Sequence, residues 1–470
     1  MTPPAAIIQP MPRNAFRVAF ILILLFIAVA APVLVSGYSE LNQATTANSY
    51  IEVAEHYNNA AQRLPWRADL YELAGHAYYH AKEYPSADRV YQRAFERNAL
   101  SPEGWVAWGD VHYLNDDPAR AAEIWEQALG QENASTNLYS RLAQSYQEEK
   151  DYSNAARYLQ KYVSLHSGDA PARYRLGLLL TLSDPDSASR ELIAASQLDP
   201  QFDPAAQTLL TALNLASLNE APSERFVIIG RGLALVQEWQ LARAAFESAV
   251  QADGENAEAW AWLGEANQQT GVEGGEELDR ALQLNPDSST VRGLRGLYFQ
   301  RVANHRQALV EFQFAAALEP RNPARFISLG DAFVNVGDLI RALEAYQLAT
   351  ALAPEDAAYW RALANFCGQN NVYVRDVGIP AAQRAVVIAK DDPVHLDTLG
   401  WLLLLDARYA EAERILRDAL ALDSQHALAH LHLGMLYLQT DDRARAFEHL
   451  IHARDLGSTE AEGLLQYYFP

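Results

Sequence analysis

From residue 68 onward the order of apolar, small and polar positions repeats about every 34 residues. Leu198-Asp199-Pro200, Leu284-Asn285-Pro286, Leu318-Glu319-Pro320 and Leu352-Ala353-Pro354 each follow an alanine (Ala195, Ala281, Ala315, Ala349) at the same short distance. A Leu-Gly pair falls at positions 7 and 8 in Leu176-Gly177, Leu263-Gly264, Leu329-Gly330, Leu399-Gly400 and Leu433-Gly434. Alanine then occupies positions 20 and 27, with an aromatic residue or leucine at 24, as in Ala87, Tyr91 and Ala94 or Ala342, Tyr346 and Ala349. Small residues at 8, 20 and 27 let two helices approach closely, and the larger ones at 4, 7, 11 and 24 fill the space between them. Proline near position 32 cannot continue the second helix of a unit and so ends it.

Eleven units follow: 68–101, 102–135, 136–169, 170–202, 223–256, 257–288, 289–322, 323–356, 357–392, 393–426 and 427–460. Unit 170–202 is one residue short, 257–288 is two short and 357–392 is two long. Gly271, Gly274 and Gly275 at the turn of the shortened unit predict a second helix that starts late. Residues 49–63 read as a lone second helix, with Val53, Tyr57 and Ala60 in register, inside a linker and half-repeat spanning 36–67. Residues 203–222 carry one unpaired helix, which separates an array of four repeats (68–202) from an array of seven (223–460). Residues 461–470, with Leu464, Leu465, Tyr467, Tyr468 and Phe469, predict a capping helix, as a stack end needs.

The pattern changes at the N-terminus. Residues 18–35 form an uncharged run, VAFILILLFIAVAAPVLV, preceded by Arg13 and Arg17 and followed by no basic residue until Arg63. Its 18 residues make a helix of roughly 27 Å, close to the ~30 Å hydrocarbon core of a bilayer. The positive-inside rule then keeps the short segment 1–17 in the cytoplasm and exports the rest. The expectation is a single-pass protein of the cytoplasmic membrane with an extracytoplasmic repeat domain; a cleaved signal peptide is the alternative.

Composition narrows the function classes. With 59 acidic and 37 basic residues the net charge is −22, which argues against a nucleic acid partner. The single cysteine, Cys367, rules out internal disulfides and a cysteine-rich metal site, and at position 11 it reads as core. No nucleophile elbow, phosphate loop, zinc-protease helix or dinucleotide turn is present, so no enzyme and no cofactor are expected. His76 and His80 with Glu72, and the group His426, His430, His432, His449 and His452, carry metal-ligand residue types. Helical spacing alone brings two ligands together where a site needs three or four, so no metal is expected.

The 34-residue pattern resembles the tetratricopeptide repeat family. The resemblance implies an all-α chain: a right-handed superhelical solenoid of about eleven antiparallel helix pairs, here with one N-terminal transmembrane helix. In that family first-helix positions 2, 5, 9, 12 and 13 line a concave wall on which peptides lie. Mapped onto the last two units, the wall reads Val394, Trp401, Leu404, Leu405, Leu428, Leu431, Met435 and Leu438. So apolar a face needs a cover, which is the chain's own tail, a second copy, or another protein's helix. Over the first units the wall is acidic and tyrosine-bearing, with Asp69, Glu72, His76, Tyr79, His80, Glu103, Asp110 and Tyr113, and suits a basic or polar peptide. The family's basic clamp for acidic peptide ends is begun by Arg361 and Asn365 but not completed by Thr398, Leu428 and His432. The implied function is a membrane-anchored, non-catalytic scaffold for protein partners, and resemblance to anchored bacterial repeat proteins suggests assembly of envelope complexes. An obligate structural subunit, or a metal-binding repeat protein, is the alternative.

Overall fold

The computed structural model describes residues 13–131 and 134–469, without the side chains of 13–19, 22–23 and 25–27. Among these residues are twenty-six α-helices and no strand. The chain divides into two compact units, residues 1–214 and 215–470. The boundary falls inside α11 (Asp203–Ser217), the helix expected to be unpaired.

The first unit opens with α1 (Arg13–Ala44), followed by α2 (Tyr50–Arg63) and four helix pairs. The pairs are α3 (Asp69–His80) with α4 (Tyr84–Glu96), α5 (Pro102–Tyr113) with α6 (Pro118–Leu129), α7 (Leu138–Glu148) with α8 (Tyr152–Leu165), and α9 (Ala170–Leu180) with α10 (Pro185–Leu198). Here α2 is not alone. The end of α1 packs along it, with Leu34 and Leu41 against Ala60, Ala61 and Leu64, and Glu40 binding both His56 and Arg63. Residues 36–44, expected as linker, therefore supply the missing first helix of the half-repeat. Ser49 starts α2 by accepting the Glu52 amide at 3.2 Å.

The expected membrane helix 18–35 lies within α1. Seven of its side chains fall outside the described residues, and among those described no helix is long and apolar enough to cross a membrane. The span is thus not shown. Of the expected segment 1–17, residues 1–12 lie outside the described residues.

The second unit holds seven pairs: α12 (Pro222–Leu235) with α13 (Trp239–Ala252), α14 (Ala257–Gln269) with α15 (Gly275–Leu284), α16 (Ser289–Arg301) with α17 (His305–Leu318), and α18 (Pro323–Asn335) with α19 (Leu339–Leu352). They continue as α20 (Ala357–Gln369) with α21 (Ile379–Ile388), α22 (Pro393–Leu405) with α23 (Tyr409–Leu422), and α24 (Ala427–Gln439) with α25 (Arg443–Asp455), and end on α26 (Thr459–Tyr468). The late second helix of the shortened unit is α15, 10 residues long. The two extra residues of unit 357–392 form a π-turn over Val374–Gly378, entered through Tyr373 at φ 49°.

One contact recurs through both units and explains the spacing of the repeat. A Cβ on Gly75, Gly109, Gly230, Gly296, Gly330, Gly400 or Gly434 would collide with Tyr91, Trp125, Phe246, Phe312, Tyr346, Leu416 or Leu450, sixteen residues further on. Position 8 is therefore the floor on which the position 24 side chain rests. In the shortened repeats the same contact joins Gly177 to Leu192 and Gly264 to Leu278, one and two residues sooner. The deletions fall inside the turn and leave the packing intact.

Candidate functional site

In the first unit, helices α3, α5, α6 and α7 surround a groove of about 380 Å³. Its floor is Trp125, which is buried and donates its Nε1–H to the Val106 carbonyl at 3.1 Å. The Tyr113 ring lies 5.8 Å from that of Trp125. The Tyr113 hydroxyl donates to Glu148 and accepts from Gln144 Nε2 at 2.6 Å. Across the groove Asp110 takes a two-pronged bond from Arg141, at 2.7 Å from Nε and 3.2 Å from the terminal nitrogen. Burial, then the Glu148 carboxylate, push the Tyr113 hydroxyl above its ordinary value, and burial with Asp110 does the same for Tyr79. Both phenols keep their protons across the physiological range; that of Tyr113 goes to Glu148, which leaves its oxygen toward a peptide as an acceptor only. What the groove offers is hydroxyls, an amide and an ion pair around an aromatic floor, chemistry suited to a peptide backbone.

The other residues expected on this wall have separate fates. Glu72 accepts from the Ser101 amide at 2.5 Å and the Ser101 hydroxyl at 2.6 Å, so it ties α3 to the residue that caps α5. Burial works against its charge, yet the bonds from His76 and Ser101 win and hold its carboxyl below the usual value. His76 meets the Tyr91 hydroxyl at 2.9 Å through Nδ1. Asp69 pairs with Arg67, His80 lies beside Tyr50 and Tyr79, and Glu103 is exposed. The wall is thus less acidic than its composition, because Glu72 and Asp110 are already engaged.

On the wall of the last two repeats, Leu404 and Leu431 are only 6% and 2% exposed and belong to the core. Leu431 packs with Leu450, Ala461 and Leu465, and Met435, Leu438, Leu464 and Phe469 join the same cluster. Of the three covers weighed for this face, the chain's own tail therefore sits on its distal half. Arg443 fixes it, donating to the Tyr468 carbonyl and lying 5.3 Å over the Phe469 ring. Trp401 stacks on His432 at 5.6 Å and packs against Gly368. Val394 and Trp401 are half-buried, while Leu405 and Leu428 remain 39% and 49% exposed.

The histidines make contacts of their own. His432 reaches buried Asp397 at 2.8 Å, and His430 meets His449 at 2.9 Å. Among the described residues no group of three or more His, Cys, Asp or Glu is placed to hold a metal ion. Cys367 is fully buried in the core, which pushes its thiol up to about 11.

Comparison with known sequences names two stretches of these helix pairs. One tetratricopeptide repeat model matches residues 136–167 in the first unit, and another matches 231–289 in the second. Both stretches carry tetratricopeptide repeats. Human "Superkiller complex protein 3" is 20% identical over 379 residues, which cover 74% of this chain but 23% of that protein. The chain thus spans about a quarter of the length of the curated relative it matches. Among solved structures, yeast Tom70 is similar at 16% identity and a TM-score of 0.42, over 94% of this chain and 95% of that one. The protein YrrB, described as having an unusual peptide-binding site, is similar at 18% identity and a TM-score of 0.31, over 40% and 97% of the two chains. Likeness this distant carries no argument about function.

One tetratricopeptide groove escaped the sequence reading. In the second unit, first helices α12, α14, α16 and α18 enclose about 250 Å³ lined by Arg231, Trp262, Thr290, Gly293, Leu297 and Arg325, among others. Arg231, Thr290, Gly293 and Leu297 stand at wall positions 9, 2, 5 and 9 of their units. The signal was present, but it is spread over four repeats and stands out in none of them.

Proposed function

We propose that the protein is a non-catalytic scaffold that binds segments of other proteins in the grooves of its tetratricopeptide arrays. Tetratricopeptide proteins bind protein partners, and repeat scaffolds of this kind are typically without catalysis. The observation that carries the reading is the groove at Tyr113. Its side chains come from three successive first helices and from Trp125 on α6, and two of them, Asp110 and Tyr113, are held by bonds to the following repeat. A surface so fixed needs little ordering when it binds. The partner is a polar peptide in extended form. Partner recovery by full-length protein from native membranes tests this against the Tyr113→Ala variant. A defined set of proteins should be recovered by the parent and lost with the variant at unchanged helicity, whereas equal recovery would overturn the assignment of this groove.

The second part of the proposal is location. Residues 18–35 anchor the chain in the cytoplasmic membrane, with the N-terminus inside and the repeats outside, where they organise complexes of the envelope. Support comes from the charge asymmetry of the sequence and from Phe20, Ile21, Leu24, Val29 and Val35 on α1, which are 49–70% exposed among the described residues. Protease treatment of intact cells, followed by alkaline extraction of membranes, checks it. Repeats protected from protease, or a chain released by extraction, would each sink the reading.

A further inference from the structure

We propose that the groove between α12, α14, α16 and α18 takes one carboxylate side chain, flanked by an aliphatic one, from an extended segment of another protein. This deepens the scaffold reading and rests on it. The argument starts from charge. In a chain of net charge −22, Arg231 is exposed and has no carboxylate partner among the described residues. Its guanidinium is held instead 5.5 Å over the Trp262 ring, whose fixed position comes from stacking on Phe246 at 5.8 Å. Glu265, three residues after Trp262 on α14, is taken by Arg301, which grips its carboxylate at 2.5 and 2.7 Å.

Arg325 provides the second cation from the facing helix. Its Nε donates to Glu319 at 3.0 Å, leaving a terminal nitrogen in the groove. That nitrogen lies 2.8 Å from where a Cβ on Gly293 would sit, so the guanidinium occupies space that only glycine leaves open. Two arginines against Glu319 leave one uncompensated positive charge. This matches a singly charged carboxylate and falls short of a doubly charged phosphate. Leu294, Leu297 and Phe312 form the apolar remainder. At about 250 Å³ the groove is below the ~300–1,000 Å³ usual for small-molecule sites, and it suits one or two side chains of a longer segment.

The test uses the full-length protein in detergent and a randomised nonapeptide library with a fixed leucine-X-leucine centre, X being glutamate, glutamine or phosphoserine. Fluorescence anisotropy should show the glutamate pool binding at least tenfold tighter than the glutamine pool. Arg231→Gln should reduce that preference to less than threefold, and Arg231→Lys should keep part of it. Arg231 is exposed, so thermal melts of both variants should match the parent. Equal binding of the glutamate and glutamine pools, tighter binding of phosphoserine, or a preference untouched by Arg231→Gln would each overturn the proposal. If it fails while partner recovery still depends on Tyr113, the scaffold reading survives without this site; if both fail, the scaffold reading falls too.

Discussion

The first repeats and the last repeats use the same first-helix positions in opposite ways. At the Tyr113 groove those positions carry polar and aromatic side chains, held by bonds to the next repeat and open to solvent. On α22 and α24 the same positions are apolar, and α26 with Phe469 closes over part of them. By composition alone the apolar wall was the stickier surface. Placement reverses that order, because an apolar wall that meets its own tail is core, whereas a satisfied polar wall has nowhere to go but solvent.

The largest effect that separates the two regions is a charge placed beneath the tail. Leu431→Asp should cost about 3–5 kcal/mol by burying an unpaired carboxylate and opening the cluster around Leu465. Tyr113→Ala, on the open wall, should stay within about 1 kcal/mol. Urea denaturation followed by circular dichroism gives both values. Hydrogen exchange should place the Leu431 damage in residues 427–468 first, since an end repeat has only one neighbour. Equal losses in the two variants would break the contrast.

Acid should separate the regions next. In the last repeat, burial and then the charge of His430 lower His449 from 6.5 to about 4. The folded state thus binds fewer protons than the unfolded one, and stability contributed by neutral His449 is lost as pH falls from about 6.5 through about 4. Arg417 and His452 face His449 and act in the same direction as His430, while Glu448 opposes them. Allowing for solvent screening, the loss is about 1–2 kcal/mol. In the first unit the shift has the same sign but lies lower on the pH scale. The His112 bond lowers the carboxyl of Asp88 from its ordinary 3.8, so that contribution survives down to about pH 3.8 and goes only below it. Chemical denaturation at pH 7, 5 and 4 should therefore find the last repeat weakening first, and His449→Asn should remove most of that slope. A profile unchanged by His449→Asn would show that the histidine pair has no part in it.

How far the sequence is legible follows from where the information lies. The helix pairs were readable because most repeat a local rule, the small residue at position 8 beneath the large one at 24, as between Gly330 and Tyr346. The end of α1 was not, because residues 36–44 are mostly polar and show no period; what holds them is Glu40 binding His56 and Arg63, which are distant in sequence. The Tyr113 groove was half-legible. Position numbers supplied Tyr79, Asp110 and Tyr113, but not that Arg141 neutralises Asp110 or that Glu72 is consumed by Ser101. Such pairs cross repeats and follow no period. For the same reason the tail's hold on Leu431 could be weighed in sequence but not decided.

A smaller effect tests whether the polar wall is held by its ion pair. Asp110→Ala leaves half-buried Arg141 without its carboxylate and should cost about 1 kcal/mol. It should also weaken partner recovery, because Arg141 is then free to swing across the groove. Retention of both stability and recovery would mean that packing alone shapes this wall.

The smallest change is the most discriminating. Tyr113→Phe keeps the ring against Trp125 and removes only the hydroxyl that donates to Glu148 and accepts from Gln144. Both partners are exposed enough to turn to water, so the stability change should be within about 0.5 kcal/mol. If the groove works through its aromatic floor, partner recovery should match that of the parent. If it works through a phenol held in place by its neighbours, recovery should fall toward that of Tyr113→Ala although the fold is untouched. The second result is expected here, because the hydroxyl is bonded to two side chains of the following helix region, Gln144 and Glu148, and such bonding fixes its oxygen as an acceptor where a bound backbone N–H needs one.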